Sequence, residues 1–459
     1  MSPAQTPDSL GYHVVLLPAT SAADVEARWR VTTAGAVRML APPSGGAGGV
    51  SLTGLTATDA DGRPLVLRRT ESGLVLRLTA GTLVRLRYRV GFLRSVPDGS
   101  TGSGMDTARF YAVTRSLFVA PDPTALRKTG TVYPTVTVRV AAPPGWRVVG
   151  GWPGDHRLYR PAGGNDLLGA TLAAAPDYRT YEGTIGGSTW RLSVRGRRYF
   201  TDSALAATVA ASLTLGATVL GPVPEEVVTY TADVGRKGRM SGSLQGTASI
   251  GLVWEPSEIL GLGRVHDLFH ESLHLWFGGA LESERWWVEG VTDYLAARLA
   301  SEWRADPGDL AFLCFQSLRN YRAIAHHARY TMAEENRRRI AGDNTDLLVY
   351  RKGMLAGLLL DAALRRASGG RRTLDDLSRS LLETAGRRRS HYVRETEIRD
   401  AAARLGGAEV AAVWDRVVAG TEPLTDEDVL VALRGVTGRV FESPAPLAKE
   451  RKALQAASP

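Results

Sequence analysis

The sequence has little cysteine and no long apolar runs. Its single cysteine, Cys314, excludes an internal disulfide and a cysteine-based zinc site, and it agrees with a cytoplasmic location. No apolar run reaches the roughly 18 residues that a membrane-spanning helix needs. The longest candidate, residues 354–364, ends at two arginines. The N-terminus also lacks the basic start and apolar core of a signal peptide. We therefore expect a soluble, cytoplasmic protein without a membrane span.

The sequence has fewer acidic than basic residues. It contains 47 aspartates and glutamates and 56 lysines and arginines, which gives a net charge of +9. Basic clusters lie at residues 236–239, 336–339, 371–372 and 387–389. Such clusters indicate nucleic-acid binding when aromatic residues interleave with them in a groove or a known motif accompanies them. Neither feature is present, which favours a solvated arginine-rich surface. We therefore expect no nucleic-acid partner.

The chain of 459 residues is long enough for two or three domains. Residues 10–189 are expected to form an N-terminal β domain with a sandwich-like sheet arrangement, because short alternating runs are separated by Gly, Pro and Asp. These runs lie at residues 65–67, 74–78, 84–90 and 132–140. Residues 97–104, with the sequence PDGSTGSG, are expected to form a loop.

The pattern changes near residue 190. Strand-like runs at residues 190–196, 227–232 and 249–254 flank a helical stretch at 203–220, and helical periodicity dominates from 265 to about 433. We predict a multi-domain α+β fold. It comprises the β domain, a catalytic domain at 190–302, a helical domain at 303–440 and a frayed tail at 441–459.

A metal-binding motif lies in the sequence HESLH, which places His270 and His274 four residues apart. Residues i and i+4 lie one above the other on a helix, so both imidazoles can reach one ion. Glu271 can then take a proton from a water at that ion. A chain of this length contains the motif by chance on the order of once in a hundred. The alternative interpretation is a helix with two unrelated histidines.

A second helical stretch, ERWWVEGVTDYLAARLA, carries Glu289 and Asp293. Glu289 would complete a set of two histidines and one glutamate, and would leave a coordination position for water. Asp293, one turn later, is placed to accept the remaining N–H of a ligand histidine. His266 lies one turn before His270 and is interpreted as structural. Ordinary surface carboxylates are the alternative for both acidic residues.

With this motif followed by WWVEGVTDY, the chain resembles the glutamate-ligand zinc peptidases, and among them the glycyl aminopeptidase family. Further segments resemble that family in order along nearly the whole chain: SLFVAPDP, VRVAAPPGWRVVGG, DLLGATLAAAPDYRTYEGTIGG, VYRKGMLAGLLLDAALRRASGGRRTLDDL and AEVAAVWDRVVAGTEPL. The resemblance implies a thermolysin-like catalytic domain, one zinc ion per chain and a peptide or protein substrate. It also implies an active site between the catalytic and helical domains.

The resemblance gives roles to two more segments. Tyr350 matches the family's transition-state residue, whose phenol donates to the oxyanion. Gly242, Ser243, Leu244 and Gln245 match the substrate-binding strand, in which Gln245 replaces a glutamate that can hold the substrate's α-amine. An amide lacks the charge that makes such a pair strong.

Two further departures concern length. The link of 14 residues between the second histidine and Glu289 is shorter than is usual in the family, and the residues after Gly420 are too few for the family's PDZ domain. We expect a zinc metallopeptidase that resembles an aminopeptidase but has an altered amine-binding site. An endopeptidase or dedicated peptide-processing protease, and an inactive peptide-binding scaffold, remain alternatives. The oligomeric state is not predicted.

Overall fold

The computed structural model describes residues 9–31, 34–43, 49–70, 73–95, 102–128, 133–155, 157–235, 239–241, 248–324, 326–340, 346–388 and 391–441. The chain forms two compact units. The first comprises Met1–Thr184, Ser188–Ala206 and Glu225–Ile259, and the second comprises Ile185–Gly187, Ala207–Pro224 and Leu260–Pro459. The second unit therefore groups the two-histidine helix with the helices after residue 303. The expected three-domain boundaries stay a prediction.

The first unit is built from four sheets. The strands are β1 Ser9–Leu17, β2 Ala22–Arg30, β3 Gly35–Leu40, β4 Val50–Thr58, β5 Leu67–Thr70, β6 Gly73–Leu78, β7 Leu83–Phe92, β8 Gly104–Asp106, β9 Arg109–Val113, β10 Ala120–Pro121, β11 Thr135–Ala141, β12 Arg147–Gly150, β13 Leu158–Tyr159, β14 Thr171–Ala175, β15 Arg179–Ile185, β16 Ser188–Val194, β17 Val227–Val234, β18 Arg239–Ser241 and β19 Ser249–Trp254. Two short helices, α1 Pro123–Lys128 and α2 Gly164–Leu168, lie between them.

Side-chain alternation sets the register of the largest sheet, whose six strands run in the order β13-β11-β1-β2-β7-β4. Every second residue of β2 and β7 is buried, and the intervening residues pair across the strands on the outer face. Arg89 Nε lies 2.6 Å from Asp24 Oδ1, and Arg87 Nε lies 2.8 Å from Glu26 Oε2. A slip of one residue would bury these charges, which fixes the pairing.

The three other sheets have the orders β10-β3-β6-β5, β12-β14-β9-β8 and β15-β16-β17-β19-β18. In the last sheet β16, β17 and β19 are parallel, and β18 pairs antiparallel with β19 at the edge. All six residues of β19 are buried, which agrees with the uninterrupted apolar runs of parallel strands covered on both faces. The strands predicted at 190–196, 227–232 and 249–254 lie here.

The second unit is helical. Its elements are α4 Leu262–Leu273, a π-helix at Trp286–Val291, α5 Thr292–Trp303, α6 Pro307–Arg322, α7 Met332–Ile340, α8 Asp346–Ser368, α9 Leu374–Gly386, α10 Glu395–Val417 and α11 Asp426–Thr437. A further helix, α3 Asp202–Leu220, has its residues 207–220 in this unit. Residues 352–364 of α8 are all buried, so the apolar run noted in the sequence is the core of this unit.

By length and composition alone, α3 could cross a membrane, and it is the one helix among the described residues that meets this test. The expectation that no stretch is long and apolar enough was therefore wrong. The sequence does not show α3 as one apolar run, because Ser, Thr and Gly interrupt its Ala, Leu and Val residues. Within the second unit, Ser212 on α3 lies 2.9 Å from the Ser272 hydroxyl on α4, and Gly216 faces the Trp276 ring. The cytoplasmic location stays a prediction.

A glycine pair sets the distance between the π-helix and α8. A Cβ added at Gly353 would lie 2.7 Å from the Trp286 carbonyl oxygen and 2.9 Å from the Gly290 Cα. A Cβ added at Gly290 would lie 2.5 Å from the Gly353 Cα. Real Cβ atoms do not approach a backbone this closely, so any larger residue would push the two helices apart.

We predict that Gly353→Ala destabilises the protein by about 1–3 kcal/mol, because the methyl group overpacks a helix crossing made by backbone atoms. The matched control is Gly435→Ala in α11, where the added Cβ meets the Ala362 Cβ at an ordinary 3.5 Å. The control should be neutral or stabilising by up to about 1 kcal/mol. Urea unfolding of both variants measures the difference, and equal midpoints would contradict the close crossing.

Candidate metal centre

Helix α4 presents His270 and His274 on one face. Its other face is buried through Val265, Leu268 and Phe269, which fixes its rotation in the second unit. The two Nε2 atoms lie 3.0 Å apart, and the rings meet edge to face. The predicted spacing therefore brings both imidazoles to one point.

Glu289 reaches the same point from the π-helix. Its Oε2 lies 3.4 Å from the Nε2 of each histidine. The sequence predicted an ordinary α-helix through this residue, whereas the structure has a wider π-turn from Trp286 to Val291 that continues into α5. Such single π-turns are rare and occur frequently at functional sites. The turn lies where Gly290 crosses Gly353, and it directs Glu289 towards the histidines.

The link between α4 and the π-helix folds back tightly. The His274 Nδ1 donates to the Phe277 carbonyl at 2.9 Å, and Gly278 has φ +94°, which a side chain would strain. Further along, the Ser283 hydroxyl donates to the Val393 carbonyl at 2.7 Å. The short link therefore anchors itself within the second unit and carries Glu289 to the histidines.

The donor atoms fit a metal cation. Each Nδ1 faces an acceptor, the Phe277 carbonyl for His274 and the Asp293 carboxylate at 3.0 Å for His270. Both Nε2 atoms therefore turn to each other and to the Glu289 oxygen, and a positive charge must lie among them. Tetrahedral zinc, with ligand distances of about 2.0–2.2 Å, would place its ligand atoms about 3.3–3.6 Å apart. Among the described residues, this is the one group of His, Cys, Asp and Glu side chains with such geometry.

The electrostatic surroundings of His270 also favour a positive charge among the donor atoms. Burial would lower the pKa of His270, but Asp293 and Glu289 outweigh it and raise that pKa well above its ordinary value. A proton and a metal ion therefore compete for this site, and binding of the metal must release protons.

Asp293 contacts the His270 ring at Nδ1, the nitrogen that does not face the other donor atoms. Its Oδ1 lies 3.0 Å from His270 Nδ1, and its Oδ2 lies 3.5 Å from Arg351 Nη1. Burial would raise its pKa, but His270, His266 and Arg351 lower it, so the carboxylate stays ionised. The predicted neighbour of a ligand histidine is therefore in place. His266 lies against Asp293, with its Nε2 3.2 Å from the backbone carbonyl, and does not face the three donor atoms.

Glu271 has a buried oxygen, Oε2, that has no hydrogen-bond partner among the described residues. Burial raises the pKa of Glu271, while His270 and His274 oppose the rise. Because one oxygen of this carboxylate is buried without a partner and its pKa is raised, Glu271 is suited to accept and return a proton. This is the role that the motif predicted.

Tyr350 lies beside the donor atoms, with its ring stacked at 25° on that of His270. Burial and the Glu289 carboxylate raise the pKa of Tyr350, so the phenol keeps its proton. Arg285 was not predicted from the sequence; its Nη1 lies 3.0 Å from Glu289 Oε1, and its Nη2 donates to the Tyr350 phenol at 3.3 Å. Its signal was the i,i+4 spacing from Glu289, which is common for helical ion pairs.

The predicted substrate-binding residues Gly242, Ser243, Leu244 and Gln245 lie outside the described residues. Strand β18, Arg239–Ser241, precedes them in the chain. Their role stays a prediction.

No family model matches the sequence, and no curated protein matches it either. Solved structures do resemble it. An aminopeptidase N family protein from Idiomarina loihiensis has a TM-score of 0.76 and 16% identity, over 92% of this chain and 78% of that one. An M1 zinc metallopeptidase from Deinococcus radiodurans has a TM-score of 0.57 and 15% identity, over 92% of this chain and 96% of that one.

A mutant of the Deinococcus radiodurans enzyme bound to a Tyr-Ser-Ala substrate matches over the same shares, with a TM-score of 0.57 and 15% identity. At these identities the likeness concerns the fold. The predicted fold class, a β-rich N-terminal part followed by a zinc-peptidase-like and helical part, is confirmed. The chain has the fold of the M1 zinc metallopeptidases.

We predict that the purified chain binds Zn²⁺ and that Asp293→Asn weakens binding about 10–100-fold, because the His270 ring loses its charged acceptor. Competition with a chromophoric chelator measures both affinities. The control His326→Gln changes a histidine that pairs with Glu335, away from the donor atoms, and should keep wild-type affinity. An Asp293→Asn variant that binds zinc like the wild type would contradict this geometry.

Proposed function

We propose that this chain is a zinc metallopeptidase that hydrolyses peptide bonds, with one Zn²⁺ held by His270, His274 and Glu289. The observation that carries the proposal is the convergence of two Nε2 atoms and one carboxylate oxygen at 3.0–3.4 Å. The shared fold with zinc metallopeptidases supports it. Two histidines and one glutamate also form the ligand set typical of zinc peptidases that keep an open position.

Each of the chain's own groups has a distinct role in this reaction. Bound zinc would supply Lewis acidity towards a water and the scissile carbonyl. Glu271 accepts the water's proton at its buried carboxylate and returns it to the leaving amine. Tyr350 donates its phenol hydrogen to the substrate's carbonyl oxygen as negative charge develops there. Asp293 keeps the His270 ring in the orientation that directs Nε2 to the metal.

The substrate class we propose is a peptide with a free N-terminus, held by an altered amine-binding strand that includes Gln245. The resemblance to the glycyl aminopeptidase family supports this proposal, as does the aminopeptidase N family protein among the similar structures. An amide oxygen accepts a hydrogen bond from an ammonium group but adds no opposite charge. We therefore expect weak discrimination in favour of a free amine. An endopeptidase is the alternative that Gln245 favours.

We predict that Glu271→Gln lowers kcat for peptide hydrolysis by at least about 100-fold while zinc binding persists, because the amide cannot accept the proton. Peptide turnover and metal content of the same preparation measure the two effects. Glu383→Gln, on the exposed face of α9, is the matched control and should keep wild-type activity. Hydrolysis that survives in Glu271→Gln would contradict the proposed base. A wild-type chain that binds zinc but cleaves no peptide would favour the inactive scaffold.

We predict that N-acetylation of a peptide lowers its cleavage, and that Gln245→Glu increases the preference for the free amine about tenfold. The added charge converts a neutral hydrogen bond into a charge-assisted one, a gain of about 1–1.5 kcal/mol. The ratio of kcat/KM for matched free and acetylated peptides measures the preference in both proteins. Equal cleavage of both peptides by the wild type and the variant would instead favour the endopeptidase.

A further inference from the structure

Arg285 touches two groups of the site at once. It is the residue immediately before the π-helix, and its Nη1 lies 3.0 Å from Glu289 Oε1, the carboxylate oxygen turned away from the histidines. Its Nη2 donates to the Tyr350 phenol at 3.3 Å, and the guanidinium carbon lies 5.8 Å from the centre of the same ring. The two contacts come from different arms of one rigid, planar group.

The contact with Tyr350 fixes the direction of the phenol hydrogen. A guanidinium has donors and no acceptor, so the Tyr350 oxygen must accept from Arg285. A phenol has a single hydrogen, which is then directed to the opposite side of the oxygen. A carbonyl oxygen of a substrate at the metal would occupy the same region. Accepting a charged hydrogen bond also strengthens the phenol as a donor.

The contact with Glu289 limits the freedom of a metal ligand. The Glu289 side chain is nearly buried, so water offers little support to its second oxygen. Arg285 forms an ion pair with that oxygen at 3.0 Å and leaves Oε2 to face the histidines. An ordinary surface pair would contribute little. Arg285 differs from such a residue because both of its partners, Glu289 and Tyr350, belong to the site.

We infer that Arg285 is a positioning residue that aligns Glu289 for the metal and Tyr350 for the developing oxyanion, so that the two act as one unit. The catalytic half of this inference, which concerns Tyr350 and the oxyanion, rests on the proposed function. The metal half, which concerns the alignment of Glu289, rests on the contact between Arg285 and Glu289 alone. Arg285 acts through Tyr350 and Glu289 and does not itself touch the reacting atoms.

A double-mutant cycle tests the catalytic half. We expect Arg285→Met to lower kcat about 10–100-fold with KM changed by less than about threefold. At saturating zinc in the Tyr350→Phe background, which keeps the ring on His270, the same substitution should lower kcat by less than about threefold further, because the phenol through which Arg285 affects kcat is already gone. Losses that simply multiply would overturn the link between the two residues.

Zinc affinity tests the metal half in the absence of substrate. We expect Arg285→Met to weaken zinc binding about tenfold by chelator competition. Arg285→Lys should restore zinc affinity, because its ammonium can pair with Glu289, but should not restore kcat, because it cannot reach both partners. The control Arg399→Met removes an exposed pair with Asp415 on α10 and should change neither quantity.

The two halves fail in different ways. If the wild-type chain cleaves no peptide, the proposed function fails, and the zinc affinities of the Arg285 variants still test the Glu289 link. If the wild type cleaves peptides and Arg285→Met matches it in both kcat and zinc affinity, the positioning role is overturned. Rescue of kcat by Arg285→Lys would also overturn it, since charge alone would then suffice.

Discussion

Two imidazole nitrogens and a carboxylate oxygen that face one point at 3.0–3.4 Å need a positive charge among them. Without one, their lone pairs repel each other in surroundings that exclude most water. Much of the second unit serves to hold these atoms in place. The Phe277 carbonyl accepts the proton of His274 Nδ1, and the Asp293 carboxylate lies 3.0 Å from His270 Nδ1. This group could hold a metal ion, and the two 3.4 Å distances to Glu289 fall within the range that tetrahedral zinc would give.

The backbone brings these groups together from three places in the chain. Helix α4 supplies the histidines, the π-turn supplies Glu289, and α8 supplies Tyr350. The contact between Gly290 and Gly353 determines how closely the last two approach, and each glycine lies within three residues of a site residue. Arg285 then spans the remaining gap between Glu289 and Tyr350. Small residues at the crossing and a long side chain beside it therefore act together to set the positions of the site residues.

Periodicity and spacing could predict much of this site. The i,i+4 rule placed His270 and His274 on one face, and the same rule linked Glu289 to Asp293. Neither the π-turn nor the Gly290–Gly353 crossing could be predicted, because both depend on contacts between segments far apart in sequence. Arg285 was overlooked for a related reason. An arginine four residues before a glutamate is a common surface pattern, and its second partner, Tyr350, becomes visible only in three dimensions.

Parts of the fold could also be predicted from the sequence. Alternating runs predicted β strands, and the parallel strands β17 and β19 lie where strand-like runs were predicted. Helix α3 was not recognised in the sequence as long and apolar enough to span a membrane, because Ser, Thr and Gly interrupt its Ala, Leu and Val residues. The helices after residue 303 lie in the same compact unit as the histidine helix, and the three-domain boundaries stay a prediction.

Zinc-edge X-ray absorption of the metal-loaded protein tests whether His270, His274 and Glu289 hold the metal. We expect a four-coordinate shell of nitrogen and oxygen at about 2.0–2.2 Å with scattering from two imidazoles. In His274→Ala we expect scattering from one imidazole. A shell without imidazole scattering, or one unchanged in that variant, would contradict the proposed metal centre.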